Sequence, residues 1–113
     1  MASTLKLGNL VAVLDNNDLK SLGRTSESHP TLYPIAAKLD AFGWDTRDIN
    51  GHDASAVVAA AAGQNPDRPV FVSARTIKGR GVAFMENAAI WHYRSPNADE
   101  YTKAIAGLAE IAR

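Results

Sequence analysis

Two short segments of this 113-residue chain carry the residue types from which a binding site could be built. Asp15-Asn16-Asn17-Asp18-Leu19 offers carboxylate, carboxamide and main-chain oxygens, hard donors that suit Mg²⁺ or Ca²⁺. Thr76-Ile77-Lys78-Gly79-Arg80-Gly81 offers cations and glycine-freed backbone N–H groups, which suit a phosphate. An oxygen-rich turn beside a cationic glycine loop is what a metal–diphosphate requires. The plain structural alternatives stand beside this reading. Asn16-Asn17 is also an ordinary turn pair, since asparagine tolerates left-handed dihedrals. Lys78–Gly81 is also a solvated loop, and it matches neither G-x-x-x-x-G-K-[ST] nor G-x-G-x-x-G.

The histidines are scattered and show no metal-ligand spacing. His52 follows Gly51 and suits helix capping or strand-end packing, while His29 beside Pro30 reads as an exposed loop residue. His92 differs because Trp91 and Tyr93 flank it, a setting that would shield an imidazole from water.

The elements that must position these groups follow from periodicity. Leu10-Val11-Ala12-Val13-Leu14 is a continuous apolar run bounded by turn formers, which predicts a strand buried on both faces of a parallel sheet. Residues 3–7 read as a helix tail capped by Gly8, and residues 20–30 as a loop. Leu32, Ile35, Ala36, Leu39 and Phe42 share one helical face, with Gly43 as the stop. Residues 44–49 predict a half-polar edge strand. Asp53 is placed to cap an alanine-rich helix over 54–62, closed by Gly63. Residues 70–76 are the second clear strand, 82–96 an irregular aromatic segment, and 97–113 a helix capped by Asn97. Alternating strands and helices predict an α/β fold with a parallel sheet and flanking helices. In such sheets ligands bind beyond the carboxyl ends of the strands, where both chemical segments fall.

Composition narrows the function classes. The length suits one small domain, burying about two-thirds of the surface its unfolded chain exposes. Twelve basic and twelve acidic residues give zero net charge, without the electrostatic footprint of a nucleic-acid binder. No cysteine is present, so disulfides, zinc thiolates and thiol nucleophiles are excluded. No apolar run reaches the roughly 18 residues of a membrane span. Neither a membrane nor a nucleic-acid partner is expected, and a cytoplasmic location is.

The sequence also resembles a known family. Lys6-Leu7-Gly8-Asn9-Leu10 through Asp15-Asn16-Asn17-Asp18-Leu19, then Ala41-Phe42-Gly43-Trp44 and Asn50-Gly51-His52-Asp53, are similar to the thiamine-diphosphate-binding domain of transketolases. Thr76-Ile77-Lys78-Gly79-Arg80-Gly81-Val82-Ala83-Phe84-Met85-Glu86-Asn87 and Trp91-His92 continue the match in the same order. The resemblance runs from about Lys6 to Leu108 and looks closest to the small split subunits of bacterial transketolase-like enzymes.

The resemblance implies thiamine diphosphate and Mg²⁺ as cofactors and transfer of a two-carbon ketol unit from a ketose or 2-oxo acid. By it, Asn17 would bind Mg²⁺ through its side-chain oxygen and Leu19 through its carbonyl. Lys78 would lie near the same cofactor cavity, and His92 would face the diphosphate and substrate as the catalytic histidine. Departures bear on this. Only 14 residues precede Asp15, so the Gly-Asp-Gly half of the family's diphosphate motif is expected to lie elsewhere. Residues 1–113 then form the C-terminal portion of such a domain. Other subunits would supply the Gly-Asp-Gly segment and the pyrimidine-binding domain. Ser21 stands where relatives carry an apolar residue, and Tyr93 replaces the glycine that commonly follows the histidine. The alternatives are a catalytically inactive structural or interaction component and a stand-alone module binding a phosphorylated ligand through Lys78–Gly81. Within the cofactor class, a component like the E1 2-oxo acid dehydrogenases or deoxyxylulose-phosphate synthase is the other reading.

Overall fold

The computed structural model describes residues 1–21, 23–63 and 65–111. In chain order the elements are β1 (Val11–Asn16), β2 (Leu19–Lys20), β3 (Gly23–Arg24), α1 (Thr25–Ser28), α2 (Ile35–Ala41), β4 (Asp45–Asn50), α3 (Ala54–Ala62), β5 (Val70–Arg75) and α4 (Ala98–Ile111), with 3-10 turns at Pro30–Leu32 and Ala89–His92. They fall into two compact units, Met1–Asn17 with His29–Thr76, and Asp18–Ser28 with Ile77–Arg113.

The first unit holds a parallel sheet in the order β1-β5-β4. Parallel neighbours cannot be joined by a tight turn, so helices must carry the chain between them. Here α2 and α3 do so, and both pack on β4 and β5. β5 is the centre, which explains its unbroken apolar run. Val70 and Val72 are fully buried and Phe71, Ser73 and Ala74 nearly so. Ala60, Val11 and Ile49 pack against the two valines, and Trp44 meets Phe71 edge-on at 6.3 Å. Burying each such valine contributes about 1.5–3 kcal/mol.

The other apolar run lands differently. β1 is an edge strand with Val13 54% exposed, not a strand covered on both faces. It has β5 on one side only, and the two helices pack mainly on β4 and β5 instead. The half-polar strand prediction for residues 44–49 holds: β4 is the opposite edge. Its Arg47 donates to the carbonyls of Ala60 and Gly63 at the end of α3 and pairs with Asp45 at 2.9 Å. A cation is favourable at that helix end.

Proline shortens the predicted helix over 31–42. Tyr33 is forced extended ahead of Pro34, so the chain makes a 3-10 turn and α2 begins only at Ile35. α2 ends where Gly43 predicts: Gly43 N–H donates to Asp40 C=O and Trp44 N–H to Leu39 C=O, the pair of bonds of a Schellman stop. Residues 1–7 form turns, not a helix tail. The carboxylate of Asp53 accepts from the N–H groups of Ser55 (2.9 Å) and Ala56 (3.1 Å), the expected cap of α3.

In the second unit, the segment read as a loop over 20–30 contains the antiparallel pair β2–β3 and then α1. Elements this short carry no periodicity to detect. α4 starts as predicted; the last residues of that prediction, 112–113, lie outside the described residues. Its stripe of Tyr101, Ile105, Leu108 and Ile111 is 43–70% exposed, and only Ala104 is buried. No helix among the described residues is long and apolar enough to cross a membrane.

Candidate functional site

Parallel pairing brings the ends of β1 and β5 side by side, with Asn16 opposite Arg75 and Asp15 opposite Ala74. Asp15 and Asn16 are built into this edge by their own side chains. Asp15 accepts from the hydroxyl of Thr76. Asn16 donates through Nδ2 to Ser73 Oγ at 3.3 Å and accepts at Oδ1 from Tyr33 OH at 3.3 Å. Its carbonyl also receives the N–H of Thr76 at 3.3 Å. Asn17, half-buried, closes this unit.

Leu19, Lys78 and His92 all belong to the second unit, so Asn17 and Leu19 fall on different units. Asp18 holds a left-handed φ of 59°. Its carboxylate takes hydrogen bonds from Ser26 N–H (2.8 Å) and Ser26 Oγ (2.7 Å), and pairs with Arg24 at 3.3 Å. Its carbonyl receives Thr25 N–H at 2.8 Å. Asp18 thus ties the start of the unit to β3 and α1. By residue type alone it counts among the metal-suited oxygens, and nothing in the sequence separates it from Asp15. Leu19 pairs with Arg24 in the β2–β3 ladder.

In the glycine loop, Gly79 (φ 75°) and Gly81 (φ 94°) occupy left-handed conformations, as two glycines at this spacing allow. The N–H groups of Arg80 and Val82 bond to Ile77 and Gly79 carbonyls, both at 3.1 Å, and Gly81 N–H donates to Glu86 Oε1 at 3.1 Å. These backbone donors, expected to serve a phosphate, are used within the loop. Among side chains, the loop offers an anion the half-buried Lys78 and the exposed Arg80.

His92 ends a 3-10 turn and is exposed, not shielded. Tyr93 meets it edge-on at 5.0 Å. Trp91 turns away instead. Its Nε1 donates to Phe84 C=O at 3.1 Å, and its ring meets that of Phe84 at 5.4 Å. The Arg94 guanidinium lies 3.9 Å from the Trp91 ring centroid and forks onto both oxygens of Glu100 at 2.9 and 2.6 Å. Arg94 and the Asn97 N–H hold the Glu100 carboxyl down at about 2. The same bond from Glu100 raises Arg94. Nothing in the sequence pattern separates Arg94 from an ordinary surface cation.

The donor chemistry fits the group that the family resemblance implies. An amide oxygen from Asn17 and a main-chain oxygen from Leu19 are hard donors suited to Mg²⁺, which keeps phosphate and water ligands besides. Among the described residues no group of three or more His, Cys, Asp or Glu could hold a metal by itself.

Fold, edge chemistry and sequence converge on one class. The chain belongs to the transketolase, thiamine diphosphate binding domain family, whose model matches residues 1–108. Among its relatives is one of the subunits of the apulose-4-phosphate transketolase of Phocaeicola vulgatus, 34% identical over 107 residues that cover 93% of this chain and 38% of that protein. The 6-deoxy-6-sulfo-D-fructose transketolase subunit SqwG of Clostridium sp. (strain MSTE9) is 32% identical over 91% of this chain and 38% of its own length. The human transketolase-like protein 2 is 38% identical over 96% of this chain and 17% of its own length. The chain thus spans about two-fifths of the subunit relatives. The transketolase structure from Campylobacter jejuni shares the fold at a TM-score of 0.64 and 18% identity, covering 96% of this chain and 21% of that one.

Proposed function

We propose that this chain is one component of a multi-chain, transketolase-like enzyme that transfers a two-carbon ketol unit with thiamine diphosphate and Mg²⁺. The observation that carries the reading is the family match across residues 1–108, joined to 34% identity with one subunit of a divided transketolase. In this reading residues 1–113 are the C-terminal portion of the cofactor-binding domain, and the Gly-Asp-Gly segment and the pyrimidine-binding domain come from outside them. Two subunit relatives are named for apulose-4-phosphate and 6-deoxy-6-sulfo-D-fructose, ketoses with an anionic tail, which supports a ketose donor.

Each residue then has a task. Asn17 and Leu19 would present oxygens to Mg²⁺, whose charge would offset that of the diphosphate. Lys78 adds a positive charge on the diphosphate side. His92, exposed at the end of its turn, donates or accepts a hydrogen bond at the substrate and moves a proton there. The cofactor, when bound, supplies the electron sink for the carbon–carbon chemistry.

Combining the chain with polypeptides that carry the two missing segments tests this. The expected result is Mg²⁺-dependent thiamine diphosphate binding by calorimetry and ketol transfer by the assembled chains alone. Asn17→Ala should weaken the Mg²⁺-dependent binding by about tenfold or more. His92→Ala should lower kcat by about 10²–10⁴ while cofactor binding persists. Failure of every combination to bind thiamine diphosphate with Mg²⁺ would overturn the reading.

A further inference from the structure

The exposed pair His92–Tyr93 lies between two anchored residues. On one side Trp91 is held by its indole bond to the Phe84 carbonyl and by ring contact with Phe84. On the other side Arg94 is held three ways, by its stack on Trp91 and by both bonds of its fork onto Glu100. Glu100 is itself fixed. Its Oε2 accepts the N–H of Asn97 at 2.8 Å, and its own N–H donates to Asn97 Oδ1 at 2.9 Å. That reciprocal pair is a capping box at the start of α4. The bonds run without a gap from Phe84 through Trp91, Arg94 and Glu100 to the first turn of α4.

We infer that Arg94 and Glu100 are positioning residues for His92: they fasten the segment that carries the imidazole to the capped end of α4 and so fix where the ring stands. This rests on the reading of His92 given above. The chemistry explains why these residue types are needed. A guanidinium is planar, so it can lie on the indole face and fork onto a carboxylate at once, which a lysine ammonium cannot do. With residues 91 and 94 both fixed, the two residues between them have little backbone freedom. Without the Arg94 anchor, Tyr93 and His92 would be held on one side only, and an exposed side chain has no packing to restore its place. Displacing a reacting group by about 1 Å can lower turnover by 10²-fold.

The test uses the assembled enzyme and three substitutions that separate the clamp from the cap. Glu100→Gln retains a side chain that capping boxes accept at that position but removes the ion pair. Arg94→Ala removes both stack and fork, and Arg94→Lys keeps only the charge. The expected result is a kcat lowered about 10–100-fold in Arg94→Ala with KM changed less than about twofold. Arg94→Lys and Glu100→Gln should fall between that variant and the native enzyme. The imidazole signals of His92, identified by their loss in His92→Ala, should shift or broaden in Arg94→Ala, while those of His29 and His52 stay in place. His92 signals unchanged in Arg94→Ala would overturn the inference, as would an unchanged kcat in a protein whose His92→Ala variant is inactive. If His92→Ala itself turns over normally, the reading of His92 fails, and the signals alone then judge whether Arg94 places the ring.

Discussion

Gly51 gives the sharpest test of how the carboxyl edge of the sheet is built. A Cβ added there would stand 2.5 Å from Thr76 Cγ2 and 3.1 Å from the main-chain carbon and Cβ of Ala74. Comfortable carbon contacts begin near 3.5 Å, so Gly51→Ala must drive the Thr76 methyl back by about 1 Å. Thr76 can do that by rotating about χ1, which withdraws its hydroxyl from Asp15. The overpacking costs about 1–3 kcal/mol and the exposed hydrogen bond contributes about 0.5–1.5 kcal/mol. A loss of about 2–3 kcal/mol is expected. Read by urea unfolding with m near 2 kcal/mol/M, the midpoint should fall by about 1–1.5 M. The companion variant Thr76→Ser deletes Cγ2 and keeps the hydroxyl. In the double variant at least about 1 kcal/mol should be recovered relative to the sum of the single changes. Additive losses, or a Gly51→Ala midpoint within about 0.2 M of the native one, would refute this account of the edge.

Three further outcomes are expected. Val72→Ala empties part of a fully buried site at the centre of β5 and should cost about 2–3 kcal/mol by the same unfolding assay. Asp53→Ala removes the acceptor for two N–H groups of α3 and should cost about 1 kcal/mol, whereas Asp53→Asn should be nearly neutral by thermal melting. The acid side follows from Glu100, whose carboxyl sits at about 2 instead of 4.5 because Arg94 and the Asn97 N–H bond its charged form. A depressed folded value means this stabilisation is fully present above about 4.5 and lost as pH falls toward 2. Carboxyl NMR should place the Glu100 midpoint near 2 in the native chain and clearly higher in Arg94→Ala, where the Asn97 N–H still holds it below its ordinary value.

Much of the fold is legible because burial writes periodicity into sequence. Val70–Ala74, the cap at Asp53 and the Asn97 start of α4 can be read directly. The strand 10–14 is equally visible, but an apolar run does not say whether a strand has one neighbour or two, and β1 has one. Pro34 carries a local signal that outweighs the helical spacing of Leu32 and Ile35, since proline disfavours helix in the residue before it. The β2–β3 pair is invisible in sequence because its order comes from one carboxylate, Asp18, gripping Ser26 and Arg24. At the site, flanking aromatics suggest shelter for His92, yet Trp91 turns to Phe84 and leaves the imidazole exposed. Side-chain direction is a tertiary property, and neighbours in sequence do not fix it.

The consecutive asparagines at the end of β1 look interchangeable, but the structure makes them different residues. Asn16 is committed to Ser73 and Tyr33, and successive side chains on a strand point to opposite faces. Deleting one residue within 11–15 would present Asn17 to Ser73, and inserting one would present Asp15, while the Asn-Asn pair stays intact on paper. The information in this motif is therefore carried by phase: a relative could keep every letter of it and lose the site through a single frame of slippage against β5.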